Sequence, residues 1–511
     1  MSPHFSVLAA CLICWLLKKL TGILAGHPSP YPPGPKPKPV IGNLLDLPMT
    51  YAAQQYFAWG KKYNSGIVHA SAFGNHVVVI NNRDVAAELL DRRAKKYSDR
   101  PAMPIVNLMG WGYNISLARY GDAWRLRRKI CQQHFRLEVA QKYHPQQIEK
   151  VHNLLQGLLD SPAEFDHHNK MLSISIPMAT MFGYDVKSID DPCIFAADQS
   201  ILLGARLLLP GSSYMSFFPG LAKVPAWCPG ASACKAAAEV RRLTDEMQRL
   251  PMEFVAKRLE EGTATPSLVS DFLEKKSISG ASKEEEDAIL SIASTVYAGG
   301  SDTTISSTGT FFYVMAINPE IQQKAQAEID AVIGSNRLPD FGDRASLPYI
   351  EALYREILRF RPPLQLGVPH CLTEDDYYEG YFIPKGTTVL SNIWAMTHDE
   401  DAYPEPFKFS PERFLDERGK LNDDDRILAY GFGLRTCAGK HLASSTVWLI
   451  IASVLACFDI RKSQDQFGND IEISDDYDDL GIIDHKSKFQ CSFVPRSSRV
   501  RSLIADAKHP E

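Results

Sequence analysis

The chain has 511 residues, 45% of them apolar and 23% charged, with a formal net charge of -5. This is the composition of a folded globular protein. It excludes a disordered, collagenous or coiled-coil chain and gives no sequence-wide affinity for nucleic acid. Ten cysteines, with no Cys-x-x-Cys outside the apolar N-terminus, indicate neither a zinc ribbon nor a disulfide framework; they fit reduced thiols in a cytosol-facing protein.

Phe5 to Leu17 is apolar apart from Ser6, and Lys18 and Lys19 separate it from a second apolar patch, Leu20 to Ala25. The first run alone is too short to span a bilayer, for which about 20 residues are needed, but Phe5 to Ala25 suffices if the lysines snorkel. No basic residue precedes the run, which argues against a cleaved secretory peptide, and the lysines that follow keep the body cytosolic. Residues 1–26 are therefore predicted to be a retained signal-anchor. Residues 27–42 hold seven prolines and read as a stiff hinge. Residues 43–511 form the body, with no internal repeat and no second linker of comparable length.

Ile67 to Ala72 and Val77 to Ile80 read as a hairpin around Gly74-Asn75. Helical periodicity then dominates to about residue 360. Short strands are predicted near Leu366 to Val368, at Thr388 to Ser391 and near the C-terminus. Ser277 to Ser282 reads as a polar loop. Ser282-Lys283-Glu284-Glu285 is a capping box, and the helix it opens runs to Ile317, where Asn318-Pro319 stops it. At about 35 residues it far exceeds the usual 10–14 and must cross the whole body. The fold class is mainly α with a small β subdomain.

Ala298 to Thr304 sets Gly299 and Gly300 inside this helix, each costing roughly 1 kcal/mol relative to alanine. Close packing accounts for them, or a helix that opens locally around a ligand served by Asp302 and Thr303, since a carboxylate beside a hydroxyl can relay protons. Tyr430 to Gly439 is a glycine-punctuated loop leading into the helical pattern His441 to Cys457. A thiolate at Cys437 would gain from the helix N-terminus, which lowers its pKa, and Arg435 offers a guanidinium to an anion. The loop is shaped to present a thiolate to a planar anionic cofactor.

Gly433, Arg435, Cys437 and Gly439 resemble the haem-binding signature of the cytochrome P450 family, with Tyr430 where the family usually has Phe. That exchange leaves a hydroxyl in need of a partner. Glu356 and Arg359, Pro411 to Phe414, Trp124 with Arg128, Gly299 to Thr304, and Pro32-Pro33-Gly34-Pro35 resemble the family's other motifs, in its order. Met109-Gly110-Trp111, Tyr120 to Trp124 and the stretch Phe218 to Trp227 resemble membrane-bound fungal members of secondary metabolism, with tryptamine hydroxylases among them.

The resemblance implies a haem-thiolate monooxygenase of the endoplasmic reticulum membrane, single-pass, carrying haem b. Cys437 would be the iron ligand, and Trp124, Arg128, His370 and Arg435 would hold the propionates. Asp302 and Thr303 would deliver protons. Arg413 would complete a buried Glu356–Arg359 pair. The sequence holds no dinucleotide fingerprint and no flavin domain, so NADPH-cytochrome P450 reductase is the implied electron donor, with cytochrome b5 as a second. Arg125, Lys129 and Lys440 form a candidate basic docking patch, or a solvated face. Substrate walls are expected at Met103 to Tyr113, Ile201 to Phe218, Tyr297 and Ala298, Leu364 to Val368, and Leu480 to Ile483. Phe217, Phe218, Leu221 and Trp227 are apolar enough to enter a bilayer. Asp475, Asp476, Asp478 and Asp479 read as a solvated loop. A lipophilic or aromatic small molecule fits these walls. A haem-thiolate isomerase or dehydratase, or a non-catalytic haem-binding protein, stays open at this stage.

Overall fold

The long helix forms where the cap signal places it, over Lys283–Ile317. Ser282 Oγ accepts the Glu285 N–H at 3.2 Å, and the Glu285 carboxylate accepts the Ser282 N–H at 3.1 Å. Glu284, Glu285 and Glu286 lie in the first turn, where the helix dipole favours negative charge. The helix does not open at its glycines. Ser301, Thr303 and Thr304 donate their hydroxyls back to the carbonyls of Tyr297, Gly299 and Gly300 at 2.8, 2.7 and 2.6 Å. Of the two readings of the glycines, local opening is not seen: the turn is continuous, with side-chain bonds added to its carbonyls. A Cβ on Gly300 would touch Pro177 at 3.4 Å, whereas one on Gly299 would meet nothing within 4 Å. The Pro177 approach is ordinary van der Waals contact, so packing requires glycine at neither position.

The computed structural model describes residues 28–208, 215, 219–224, 232–479 and 482–508. The signal-anchor, Phe217, Phe218, Trp227 and Leu480 lie outside the described residues. The C-terminal half of the central helix, Phe311 to Ala316, packs into one apolar cluster with the helices His144–Asp160, Pro348–Phe360 and Lys440–Cys457. Lys440–Cys457 is apolar around its circumference. Among the described residues it is the one helix long and apolar enough to cross a membrane, but 67% of its apolar window is buried. That is the signature of a core helix. The N-terminal half of the central helix belongs to a second cluster with Trp111, Tyr113 and Trp124.

Strands β1 (Ile67–Ala72) and β2 (Asn75–Ile80) form the hairpin. Its turn is Phe73-Gly74, one residue earlier than the sequence suggests. Both residues have positive φ, 50° and 75°, the twist that two-residue hairpins require. β3 (His370–Cys371) and β6 (Thr388–Ser391) extend the sheet in the order β1-β2-β6-β3, with β2 and β6 parallel. Three further pairs are antiparallel: β4 (Asp376–Tyr378) with β5 (Tyr381–Ile383), β7 (Phe458–Lys462) with β10 (Cys491–Pro495), and β8 (Tyr477–Asp479) with β9 (Asp484–Lys486). The strand expected at Leu366 to Val368 is absent. Gly367 turns there with φ 60°, and extended pairing starts two residues later, at His370. The polar loop expected from Ser277 is shorter than predicted, because the preceding helix continues to Ser279 and Gly280 ends it with φ 72°.

The proline-rich segment is docked rather than free-standing. Phe382 N–H donates to Pro30 O at 2.8 Å and His69 N–H to Pro33 O at 2.9 Å. The Tyr31 ring lies 4.9 Å from His69 and 5.0 Å from His76. A Cβ at Gly34 would overlap the His69 carbonyl oxygen, which explains the glycine inside the proline run.

Glu356 is fully buried and collects Arg359 at 2.6 Å and Arg413 at 3.2 Å. The Ser410 N–H also reaches it, at 2.8 Å. Arg359 turns its remaining donors on the carbonyls of Thr397 and Pro406, both at 2.9 Å. Glu356→Ala should leave two guanidinium groups uncompensated and destabilise the fold by about 3–5 kcal/mol. Denaturant unfolding of the variant against the parent checks this, and an unchanged midpoint would contradict it.

Candidate active site

The cysteine loop is built on two constrained glycines and one aromatic clasp. Gly433 has φ 55°, and a Cβ there would overlap the Leu90 carbonyl oxygen; its N–H donates to Asp91 at 2.6 Å. Gly431 has φ 75°. The Tyr430 hydroxyl finds its partner in the Tyr354 hydroxyl, 2.8 Å away on the helix that carries Glu356. The Tyr430 carbonyl accepts the Cys437 N–H at 2.8 Å, closing the loop on itself.

Seven cysteines fall among the described residues, all free; six are buried, and Cys437 is exposed. The expectation of a depressed thiol pKa needs correction. Although the Cys437 surface is open, its Sγ lies deep among protein atoms, and that burial pushes the thiol up. The Gly439 N–H, Arg128 and Lys440 pull the other way without prevailing. A coordinated cation would reverse the balance, because a thiol bound to a metal ion is deprotonated outright.

Trp124 and Arg128 share one face of the helix Asp122–Phe135, as their spacing requires. Arg128 reaches the Thr436 carbonyl at 2.5 Å, one residue before the cysteine. Trp124 Nε1–H donates to Ile115 O at 3.2 Å, and the Arg435 guanidinium lies 4.2 Å from the Trp124 ring. Arg435 donates to the carbonyls of Ser98, Ile115 and Ala118. His370 is buried on β3, with Nδ1 2.9 Å from Tyr97 O.

Arg100 is the residue that the sequence reading missed. It is 2% exposed and donates to the carbonyls of Ser116, Val368 and Pro369. Ser98-Asp99-Arg100 ends a charged run that reads as a solvated face, and nothing local marks Arg100 as inward-facing. Burial, then repulsion from Arg435, lowers its pKa well below the usual guanidinium value. Arg435 is lowered to about 10, chiefly by burial, with Arg128 adding to it. His370 is lowered to about 3 by burial and by Arg100. The nearest carboxylate, Asp99, is committed to Arg119 and the Tyr120 N–H. Buried cations held together without their own counter-charge are costly unless a ligand supplies it. A planar cofactor with two carboxylates, seated on Cys437, is the donor set's complement, and haem fits it.

On the central helix, Thr303 and Asp302 are partly open. Thr303 spends its hydroxyl proton on Gly299 O and keeps its lone pairs as acceptors. Asp302 pairs with His485 Nε2 at 3.0 Å, a partner that the sequence motif does not predict. Met109, Trp111, Tyr113 and Tyr297 are buried among apolar neighbours. Arg125 of the candidate docking patch is ion-paired with Asp122, so Lys129, exposed one turn on, is the freer charge of the two. Asp475, Asp476 and Asp478 are exposed, and no cluster of metal-ligating side chains occurs among the described residues.

The family model described as Cytochrome P450 matches residues 32–492. The chain is 38% identical to the Cytochrome P450 monooxygenase COX2 of Coprinopsis cinerea, over 93% of this chain and 91% of the relative. It is 36% identical to the Cytochrome P450 monooxygenase ppsD of Aspergillus oryzae, over 97% and 93%. It is 34% identical to the Tryptamine 4-monooxygenase of Psilocybe cyanescens, over 93% and 94%. The cysteine loop, the arginine cluster and the Glu356 pair all fall inside the matched span, and the chain belongs to the cytochrome P450 family, as a monooxygenase that carries haem on a cysteine thiolate.

Proposed function

We propose that this monooxygenase inserts one oxygen atom into a lipophilic or aromatic small molecule of fungal secondary metabolism, with electrons drawn from NADPH through a separate reductase. The apolar surroundings of Trp111, Tyr113 and Tyr297 favour such a substrate. The tryptamine hydroxylase among the relatives makes an indole one candidate class. Residues 1–26 would anchor the chain in the endoplasmic reticulum membrane, and the docked proline segment would set how the body stands above it.

The haem, once bound, supplies the iron at which dioxygen is activated. The residues around it have separable tasks. Cys437 would hold the iron through its sulfur, and thiolate donation would supply the electron density that favours O–O cleavage. Arg100, Arg128 and Arg435 would neutralise the propionates, and His370, kept neutral by burial and Arg100, would offer them a hydrogen bond without charge, with Trp124 packed against Arg435. Thr303 accepts and passes on a proton at its Oγ1, and Asp302 connects that hydroxyl to solvent. The observation that carries the reading is the gathering of buried Arg100 with half-buried Arg128 and Arg435, each spent on carbonyl oxygens, beside the one exposed cysteine among the described residues.

Cys437→Ser should abolish the red-shifted Soret band of the reduced, CO-bound protein. Survival of that band in the variant would remove Cys437 as the ligand.

Thr303→Ala should leave that CO spectrum normal. NADPH consumption should continue while product per NADPH falls. The balance should appear as hydrogen peroxide, formed from one NADPH, one proton and one dioxygen. Loss of ~1–3 kcal/mol of selective stabilisation shifts this partition by roughly 5- to 150-fold. Wild-type coupling in the variant would take Thr303 out of the proton path.

Charge reversal at Arg125 and Lys129 should slow reduction by the reductase and flatten its salt dependence, without changing substrate-induced spectral shifts. Reduction rates equal to the parent's across ionic strength would assign this face to solvation alone.

A further inference from the structure

The Asp302 carboxylate is met from outside its own helix. His485 Nε2 stands 3.0 Å from Asp302 Oδ1, and because a carboxylate oxygen accepts, the nitrogen donates. His485 belongs to β9, and β9 is fastened to the central helix next to this contact. Ser306 Oγ donates to the Asp484 carbonyl at 2.6 Å, one turn along from Asp302. The other side of β9 is held as well. The Asp484 N–H donates to Pro363 O at 3.1 Å, and Gln365 Nε2 donates to the Asp484 carboxylate. Gln365 in turn accepts from Gln54 at 2.8 Å.

An exposed pair of this kind contributes little to stability when two free side chains must be ordered to make it. Here a strand bonded on both sides presents the imidazole, so less freedom is lost. The pair is also set at a boundary: the His485 side chain is 18% exposed and that of Asp302 is 32% exposed. The central-helix neighbours of Asp302 are hydroxyls, at Ser301, Thr303 and Thr304, none of which carries charge. On β9 the next cation, Lys486, spends its ammonium on the Asp476 carbonyl at 2.6 Å. The N–H aimed at the carboxylate is that of His485.

We propose that His485 is a positioning residue for the monooxygenase reaction. It holds the Asp302 carboxylate in the orientation from which it serves Thr303, and it ties that carboxylate to the solvent edge of β9. This rests on the reading of Asp302 as the solvent end of the proton path. A phenylalanine at 485 keeps the ring and loses the donor. A glutamine places an amide N–H near the position of Nε2.

Two measurements on the haem-loaded enzyme test the assignment. The first is hydrogen peroxide released per NADPH with the reductase and no added substrate, in Asp302→Asn, His485→Phe, His485→Gln and the double variant Asp302→Asn/His485→Phe. His485→Phe should raise the ratio of peroxide to water formed by roughly 5-fold, about 1 kcal/mol of lost selectivity. His485→Gln should stay near the parent, and the double variant should match Asp302→Asn alone, because without the carboxylate there is no proton carrier left for His485 to position. The second is histidine ¹⁵N NMR of the reduced, CO-bound protein. The signal that disappears in His485→Gln should be the one that moves in Asp302→Asn. Parent-like peroxide yield in His485→Phe alongside a raised yield in Asp302→Asn would overturn this inference and leave the relay standing. Equal defects in the Phe and Gln variants would make the residue a matter of packing and overturn it too. So would a His485 signal indifferent to Asp302→Asn. An Asp302→Asn enzyme with the parent's yield would remove the relay, and His485's task with it.

Discussion

Glu356 has no contact with solvent, yet two stretches of chain converge on its two oxygens: its own helix through Arg359, and the turn at Pro411–Phe414 through the Ser410 N–H and the Arg413 guanidinium. Arg359 passes the constraint on to Thr397 and Pro406. A carboxylate taken fully out of water persists only when every lone pair is used, and here the cost of burial is offset by donors that cannot find equivalent partners elsewhere. The result is a rigid frame. The same helix carries Tyr354, which grips Tyr430, and Arg355, which donates to the Asp424 carbonyl at 3.0 Å. The cysteine loop is therefore set by a network that has no part in the chemistry.

Above the loop the electrostatics run the other way. Glu356 is a buried anion fully matched by cations, whereas Arg100, Arg128 and Arg435 are cations spent on carbonyl oxygens. The first arrangement is self-sufficient, and the second depends on a ligand. The thiol of Cys437 shares that dependence, since burial opposes its ionisation until a cation arrives. Haem brings both missing charges at once, a metal cation to the sulfur and carboxylates to the guanidinium groups.

The sequence was informative wherever the signal is local. The Ser282 capping box, the stop at Asn318-Pro319 and the four-residue spacing of Trp124 and Arg128 all depend on neighbours within one or two turns, and each is realised. The strand near Leu366 failed because Gly367 turns the chain, a conformation that an apolar run does not reveal. The loop at Ser277 failed because serine hydroxyls bonded back to Glu274 and Lys275 carbonyls let the helix continue. Arg100 and His485 were illegible for a different reason. Their roles come from segments far away in the chain, Val368 and Pro369 for one and Asp302 for the other.

The Tyr430–Tyr354 clasp couples two positions far apart in the chain. Each hydroxyl has the other as its side-chain partner, so phenylalanine at either position alone strands a hydroxyl in the packing behind the cysteine loop. The two positions exchange without that cost only together. Transplanting this cysteine loop into a relative that has phenylalanine at 354 would fail for a reason lying outside the transplanted segment.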